Sequence, residues 1–179
     1  DYATLEPHIL RRAVEINVLG AAYGTLYAYR AMRTQGSGRI VNIASMYALV
    51  PSPLSSPYVA TKHALGGLTE SLQIESAGTG VGFTLVCPGF IATNLFAAGS
   101  YAPGFDSKLA EAMIPFPMLE VGEAVERTLQ AAAKGRALAV FPAYARVMWW
   151  LHRLSPGLFV RVSQWGLAAQ RKKLAAGAS

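Results

Sequence analysis

The chain has 179 residues, of which 53% are apolar and 15% are charged, enough for one globular domain with a real core. It contains no run of eighteen uncharged apolar residues, so no membrane-spanning helix is expected. The net charge is +6, but no basic stripe interleaved with aromatic residues occurs in the first 140 residues, which argues against nucleic acid as a partner.

The first predicted element is a helix from residue 4 to about residue 33. Thr4 is a suitable N-cap, and Pro7 is tolerated in a first turn. Asn17 lies inside the helical pattern, and on composition alone it is a structural residue. The apolar residues that recur with a helical period are Ile9, Leu10, Val14, Ile16, Leu19, Tyr23, Leu26 and Tyr27.

A turn at 35–38 precedes a β-branched strand at 39–44, which leads directly into Ser45. Ser45 therefore lies at the carboxyl end of a strand, where open α/β sheets bind ligands. A proline-containing loop, predicted as coil, is followed by a helix at 58–76 with Ser56 as N-cap and Pro57 in the first position. Gly66 and Gly67 weaken this helix unless something packs closely there, and they would let a second copy of the helix approach.

Tyr58 and Lys62 are four residues apart, so the phenol and the ammonium are predicted to share one helix face. A unit charge about 4 Å away contributes roughly 4 kcal/mol, enough to lower the phenol's pKa from about 10 by up to about three units. The phenol would then titrate near neutral pH, where a general acid/base is most useful. The Ser45 hydroxyl would be a second hydrogen-bonding group at the same reacting oxygen. The alternative is an ordinary amphipathic surface, because this spacing alone is weak.

A second strand is predicted at 81–87. The glycines before it do not form a dinucleotide fingerprint, because that fingerprint follows a strand and opens a helix. Cys87 at the strand end is the single cysteine and is interpreted as a buried filler. No intrachain disulfide is therefore possible, and a reducing, cytoplasmic location is expected.

The segment Pro-Gly-Phe-Ile-Ala-Thr at 88–93 leaves the same rim of the sheet as Ser45. The region 94–119 reads as a long binding loop or lid. A helix at 120–134 with Gly135 just past its end and a third strand at 137–141 complete the pattern. Strands that alternate with helices predict an α/β fold with a parallel sheet and right-handed crossovers.

Four motifs now resemble those of the classical short-chain dehydrogenase/reductase family. They are Asn-Val-Leu-Gly at 17–20, Gly-Arg-Ile-Val-Asn-Ile-Ala-Ser at 38–45, Tyr-Val-Ala-Thr-Lys at 58–62 and Pro-Gly-x-x-x-Thr at 88–93. Each is weak alone, but four in order at family-like spacing are specific. The resemblance runs from about residue 4 to residue 142. It implies that residues 1–142 are the carboxyl-terminal part of a Rossmann-like parallel sheet with flanking helices, missing its first strands.

The resemblance implies an NAD- or NADP-dependent oxidoreductase that interconverts an alcohol and a carbonyl. Tyr58 would be the catalytic acid/base, and Lys62 would lower its pKa and bind the nicotinamide ribose. Ser45 would hold and polarise the substrate oxygen. Asn17, no longer interpreted as structural, would hold a water that links Lys62 to solvent.

The same resemblance places the nicotinamide. Pro88 and Gly89 would shape the wall beside it, while the backbone of Ile91 and the side chain of Thr93 would hold its carboxamide. The implied cofactor-binding residues are therefore Tyr58, Lys62, Pro88, Gly89, Ile91 and Thr93. No metal ligands are predicted.

Several family features do not occur in this chain: an opening strand, a Thr-Gly-x-x-x-Gly-x-Gly turn, a residue that selects between the dinucleotides, and an Asn-Asn-Ala-Gly strand end. We therefore expect a carboxyl-terminal part whose first half is missing or lies elsewhere. The strand at 39–44 would have an unpaired edge, and the chain alone would bind dinucleotide weakly or not at all. The alternative function is an inactive fragment or interaction module that cannot bind dinucleotide by itself. A homo-oligomer through the helix at 58–76 is expected.

Residues 143–179 lie outside the resemblance and are predicted as two amphipathic helices. In one interpretation they pack on the sheet or over the substrate cleft; in the other they are a membrane-surface anchor, since a basic, Trp-containing pair can lie in an interface. The first face contains Tyr144, Val147, Met148, Leu151 and Leu154. The second contains Leu158, Val162, Trp165 and Ala169, flanked by Arg161, Arg171, Lys172 and Lys173.

The predicted lid is mostly apolar, which favours an apolar alcohol or ketone as substrate. The alternative is that these side chains simply close the core. They are Leu95, Phe96, Tyr101, Phe105, Met113, Ile114, Phe116 and Met118.

Overall fold

The computed structural model describes residues 2–94, 114 and 116–177. Short 3₁₀ turns occupy Tyr2–Thr4 and Met46–Ala48. The other elements, in chain order, are α1 (Pro7–Val14), a π-helical turn (Glu15–Gly20), α2 (Ala21–Gln35), β1 (Gly38–Ile43), α3 (Ser56–Glu75), β2 (Val81–Pro88), α4 (Val121–Ala133), β3 (Leu138–Phe141), α5 (Ala143–Leu154) and α6 (Pro156–Gly177).

The three strands form one parallel sheet in the order β1-β2-β3, as predicted. Gly38 pairs with Val81 at one end of the first ladder, and Ile43 pairs with Val86 at the other. Within the described residues the outer edge of β1 has no neighbouring strand. Ile43 is accordingly 50% exposed, whereas the central strand β2 is buried along nearly its whole length.

Helices cover both faces of this sheet. On one face, α2 and α3 pack over a core that contains Ile40, Phe83, Leu65 and Leu85. On the other face, α4 packs through its alanines against Val86 and the residues of β3. This α/β arrangement places the carboxyl ends of β1 and β2 side by side.

The predicted helix at 4–33 forms as one continuous helical run from Pro7 to Gln35, made of α1, the π-helical turn and α2. Thr4 is not its cap, because α1 begins at Pro7 and its N-cap position is Glu6. The apolar face predicted for this helix is mostly exposed both before and after the π-helical turn. Helix α2 packs on the sheet through another side, which carries Ala28, Tyr29 and Met32. The exposed members of the predicted face are Val14, Ile16, Leu19, Tyr23, Leu26 and Tyr27.

A buried polar bridge joins β1 to both helices on its face. The Thr25 hydroxyl on α2 donates to Asn42 Oδ1 at 3.0 Å, and Asn42 Nδ2 donates to Thr69 Oγ1 on α3 at 2.9 Å. Thr69 in turn donates to the Leu65 carbonyl at 2.7 Å. Each buried polar group therefore has a partner, which a buried amide requires.

Glycine is required where two turns of the chain touch. Gly80, just before β2, has φ +78°, and a Cβ there would overlap the carbonyl oxygen of Gly36. Gly36 ends α2 in the left-handed conformation, with φ +77°. The contact between the two turns places the first residues of β1 and β2 side by side, which sets the register of the parallel ladder.

The helix predicted at 58–76 is α3, which begins two residues earlier, at Ser56. The N-cap position is therefore Ser55 rather than Ser56, and its side chain forms no capping hydrogen bond. Gly66 is buried against Ala48 of the same chain, where a Cβ would lie 3.4 Å from the alanine Cβ. Gly67 is exposed, and a Cβ there would meet nothing within 4 Å. Only Gly67 remains compatible with approach of a second helix.

The two tail helices form as predicted, but their faces differ from the prediction. In α5, Tyr144 and Met148 pack inward, while Val147, Leu151 and Leu154 are exposed. In α6 the buried residue is Phe159, and the predicted stripe is exposed because the helix packs through its other side. No helix in the described ranges is long and apolar enough to cross a membrane. The predicted lid lies mostly outside the described residues; Ile114, Phe116 and Met118 are its described members.

Candidate active site

The parallel pairing of β1 and β2 builds one rim of the sheet from two chain segments. The Ala44 N–H donates to the Val86 carbonyl at 2.8 Å, which extends the ladder up to Ser45. On the next strand the Gly89 N–H donates to the Phe141 carbonyl at 2.7 Å. Ser45 is buried, and its Oγ accepts a hydrogen bond from the Tyr47 N–H at 3.2 Å. Its hydroxyl proton therefore remains to be donated.

Helix α3 brings the phenol and the ammonium to the same rim. The Ser45 hydroxyl lies close enough to the Tyr58 oxygen to lower the pKa of that phenol. Lys62 Nζ lies 5.4 Å from the centroid of the Tyr58 ring and donates to the Ile43 carbonyl at 3.4 Å. The structure thus brings together Ser45, Tyr58 and Lys62, although β1 and α3 are separated by a twelve-residue connection, 44–55.

The predicted depression of the Tyr58 pKa is wrong for this structure. Burial raises the pKa of Tyr58, the hydrogen bond from Ser45 lowers it in part, and the nearby Tyr47 raises it further. Burial also lowers the pKa of Lys62. The physical reason is that the rim is poorly solvated, which disfavours both charged forms, and the ammonium lies over the ring rather than at the oxygen. Tyr58 therefore keeps its proton at neutral pH.

Asn17 reaches this cluster from the π-helical turn. Its Nδ2 donates to Thr61 Oγ1 at 3.2 Å, and the Thr61 hydroxyl donates to the Tyr58 carbonyl at 2.8 Å. Thr61 is buried and precedes Lys62 directly, so the asparagine amide is held beside the first turns of α3. Thr61 was not singled out from the sequence, although it lies inside the Tyr-Val-Ala-Thr-Lys motif.

The segment 88–93 is held from two sides. The Phe90 N–H donates to Tyr144 Oη at 2.6 Å, which ties the loop to α5. The Leu119 N–H donates to the Phe90 carbonyl at 2.9 Å, and the Ala92 N–H donates to the Leu119 carbonyl at 2.9 Å. The implied cofactor-binding residues Pro88, Gly89, Ile91 and Thr93 therefore follow the strand end in a backbone with fixed anchor points.

Gly89 is required by that arrangement. A Cβ at Gly89 would overlap the hydroxyl and ring of Tyr144. The absence of a side chain at this position lets the tyrosine ring lie directly against the loop backbone. The sequence placed Tyr144 only on an apolar helix face, since a contact 54 residues away leaves no local signal.

A connected set of aromatic rings lines this side of the rim. The Tyr47 ring is 6.2 Å from both Tyr58 and Phe90, edge to face in each case. Tyr144 stacks on Phe90 at 6.4 Å and on Phe116 at 4.3 Å. Burial raises the pKa of Tyr47 and of Tyr144, so these phenols also stay neutral. Of these rings, sequence reasoning assigned only Tyr58 and Phe116 to the site.

Cys87 lies under the rim and is fully buried. Burial raises the pKa of its thiol to about 12, so it remains protonated and unreactive at neutral pH, in agreement with its interpretation as a filler. Over the part of the chain that the structure describes, no three His, Cys, Asp or Glu side chains lie close enough to hold a metal ion.

A protein-family model matches more than half of the chain. The model of the family described as "short chain dehydrogenase" matches residues 2–101. A D-beta-hydroxybutyrate dehydrogenase of Rhizobium meliloti is 40% identical over 84 residues, which are 47% of this chain and 33% of that protein. An 11-beta-hydroxysteroid dehydrogenase A of Sesamum indicum is 32% identical over 150 residues, 82% of this chain and 42% of that protein. The chain thus spans less than half of these curated relatives.

Solved structures show the same fold. A short chain dehydrogenase from Burkholderia cenocepacia in complex with NADP is 26% identical, with a TM-score of 0.64 over 96% of this chain and 59% of that chain. A short chain dehydrogenase/reductase from Burkholderia phymatum in complex with NAD is 27% identical, with a TM-score of 0.68 over 79% of this chain and 56% of that chain. The Rossmann-like α/β architecture is therefore confirmed.

Replacement of Gly89 by Ala should destabilise the protein through Tyr144. The new methyl group would displace the ring and break the hydrogen bond to Phe90, so we expect the free energy of unfolding to fall by about 1–3 kcal/mol. Gly122→Ala is the matched control, because a Cβ at this exposed helical position meets nothing within 4 Å. Urea unfolding measures both. Equal midpoints for wild type and Gly89→Ala would contradict the close contact.

Proposed function

The chain belongs to the short chain dehydrogenase family, and we propose that the protein containing it interconverts an alcohol and a carbonyl compound with NAD or NADP. The observation that carries this proposal is the convergence of Ser45, Tyr58 and Lys62 at one rim of the parallel sheet. A hydroxybutyrate dehydrogenase and a hydroxysteroid dehydrogenase among its relatives support an alcohol or a ketone as substrate.

In this proposal Tyr58 is the proton donor and acceptor. Because burial raises its pKa, the phenol carries a proton at neutral pH and is ready to donate it to a carbonyl oxygen that gains negative charge. Ser45 would support the same oxygen, since its hydroxyl acts on the Tyr58 phenol and its proton is not used by the hydrogen bond that its Oγ accepts from the Tyr47 N–H. In the reverse direction the positive charge of Lys62 stabilises the phenolate that takes the alcohol proton.

The residues present fit the nicotinamide half of a dinucleotide. Lys62 has three ammonium protons, and its hydrogen bond to Ile43 at 3.4 Å is long, so protons remain for a ribose hydroxyl. Pro88 and Gly89, with the Ile91 backbone and the Thr93 hydroxyl, would hold the ring and its carboxamide beside the strand end. The bound nicotinamide would supply or accept the hydride. Relatives bound to NADP and to NAD leave both dinucleotides as candidates.

We assign Asn17 to the exchange of that proton with solvent. Its amide is fixed by Thr61, the residue next to Lys62, and it is only half-buried. An amide at this position has a donor and an acceptor with which to order a water molecule between Lys62 and bulk solvent. Thr61 acts through Asn17 and is a positioning residue.

The aromatic set Tyr47, Phe90, Phe116 and Tyr144 favours a small apolar substrate. Aromatic walls with a few convergent polar groups are typical of pockets for apolar ligands. The Ser45 and Tyr58 oxygens lie beside these rings, and they are the groups that would contact the substrate oxygen.

We also propose that α3 joins two copies of the protein. Gly67 leaves an open notch on the exposed side of the helix, and Ile74 on the same helix is 79% exposed. A glycine notch lets a second helix approach closely, and burial of the exposed isoleucine would stabilise the contact.

The oligomer proposal predicts that a large side chain at Gly67 reduces the mass of the assembly. Gly67→Arg should convert a dimer or larger assembly into a smaller species, because the long side chain occupies the approach path. Gly122→Arg, at another open and exposed helical glycine, should leave the assembly intact. Sedimentation velocity of the whole protein distinguishes these results, and a wild-type monomer at tens of micromolar would refute the proposal.

The catalytic proposal predicts that removal of the Tyr58 hydroxyl causes a large loss of activity. Tyr58→Phe in the whole protein retains the ring contact with Tyr47 but lacks the proton, so kcat should fall by about 10²- to 10⁴-fold, while the dinucleotide dissociation constant changes little. Tyr23→Phe, at an exposed tyrosine, should be neutral.

The pH profile of the wild type follows from the direction of the pKa shift. Carbonyl reduction needs the protonated phenol, so its rate should stay level through neutral pH and fall only above about pH 10. Turnover of apolar ketones with NADPH and NADH, followed by absorbance, measures both effects. Wild-type turnover by Tyr58→Phe would show that the proton comes from another group.

The 179-residue chain by itself should bind NADPH and NADH weakly or not at all, since it carries no Gly-rich phosphate-binding turn. Titration of the purified chain while following nicotinamide fluorescence measures this binding. Saturation in the micromolar range would contradict the prediction. A lack of turnover by the whole protein as well would favour the alternative, an inactive interaction module.

A further inference from the structure

The outer side of α6 is an apolar stripe that is not covered by the residues that the structure describes. Leu158, Val162 and Trp165 follow one another at helical spacing and are 57%, 54% and 73% exposed. The packed side of the helix is about a third of a turn away and centres on Phe159 and Leu167. The stripe is therefore a separate surface and does not contribute to the core.

Helix α5, which precedes α6, also has an exposed apolar side. Ala145 and Met148 pack inward against Met46 and Val50, while four apolar residues on the other side are exposed. The last of them, Leu154, lies just before the Ser155 turn, and Leu158 lies just after it. The exposed residues of α5 are Val147, Trp150, Leu151 and Leu154. So many large exposed apolar side chains on two consecutive helices mark an interaction surface.

The charge of the chain is concentrated on the same two helices. Residues 143–179 contain six Lys and Arg and no Asp or Glu, whereas residues 1–142 contain ten basic and ten acidic residues. The whole net charge of +6 therefore comes from the tail. In helical projection Arg161 and Lys172 border the apolar stripe of α6, and both are exposed.

We propose that α5 and α6 dock on the surface of a lipid bilayer that contains anionic lipids. The stripe would enter the boundary between headgroups and acyl chains, where Trp is favoured, and the basic residues would contact lipid phosphates. The helices would lie along the surface, which agrees with the absence of a span-length apolar helix among the described residues. This inference does not depend on the proposed reaction.

The positive charge of residues 143–179 favours an anionic bilayer over a second copy of the tail, and the apolar stripe favours it over nucleic acid. A second copy of the tail would bring two surfaces of +6 and no acidic residue together, which is repulsive. Nucleic acid would use the basic residues but would leave the apolar stripe in water. An anionic bilayer satisfies both features of the same surface.

Vesicle flotation of the whole protein tests the proposal. With vesicles of phosphatidylcholine and about 30% phosphatidylglycerol, wild type should float with the lipid. Binding should be much weaker to pure phosphatidylcholine and should decrease with added salt. Leu158→Ser/Val162→Ser/Trp165→Ser should reduce binding at least tenfold, and Arg161→Gln/Lys172→Gln severalfold.

Matched controls lie on α4. Leu129→Ser removes an equally exposed apolar side chain, and Lys134→Gln removes an exposed charge; both variants should bind vesicles like wild type. Circular dichroism shows whether the stripe variant is folded, and the charge variant provides an independent test. Wild-type binding by both tail variants would overturn the proposal. So would a wild type that ignores anionic vesicles, or a stripe variant whose only change is a smaller assembly in sedimentation.

Discussion

The buried amide of Asn42 fixes the geometry on which the candidate site depends. It accepts from Thr25 on α2 and donates to Thr69 on α3, so one side chain of β1 ties two helices to the sheet. Leaving a buried amide group unpaired costs about 1–3 kcal/mol, which opposes any sliding of these helices along the strand. Ser45 follows Asn42 by three residues, and α3 carries Tyr58 and Lys62. Their convergence is therefore a consequence of a polar contact in the core.

The electrostatics of the rim are governed by burial rather than by the nearby ammonium. Poor solvation raises the pKa of Tyr58 and lowers that of Lys62, so the phenol is a stable proton reservoir. Loss of this proton would be favoured by a positive charge close to the oxygen, whereas Lys62 lies over the ring at 5.4 Å from its centroid.

The sequence allowed prediction of the strands and the parallel sheet, and it placed Ser45, Tyr58 and Lys62 at one rim, because β-branched runs, glycine turns and motif spacing are local signals. The buried side of the first helix was not predicted, since its apolar residues outnumber those that pack on the sheet and most of them are exposed. The predicted direction of the Tyr58 pKa shift was wrong, because the burial of the phenol depends on segments that are distant in sequence. Contacts such as Phe90 to Tyr144 join distant segments, so they appear only in the folded chain.

Helix α5 has two sides with different relations to the candidate site and the tail. Its inner side holds the segment after β2 through Tyr144, whose ring replaces the side chain that Gly89 lacks. Its outer side carries exposed apolar residues next to those of α6. Deletion of residues 143–179 would therefore remove a wall of the candidate site together with the exposed surface, and a loss of activity or of lipid binding would have two causes. Point substitutions on the outer side separate them, because those side chains are exposed, whereas Tyr144, which binds the loop at Phe90, lies on the inner side.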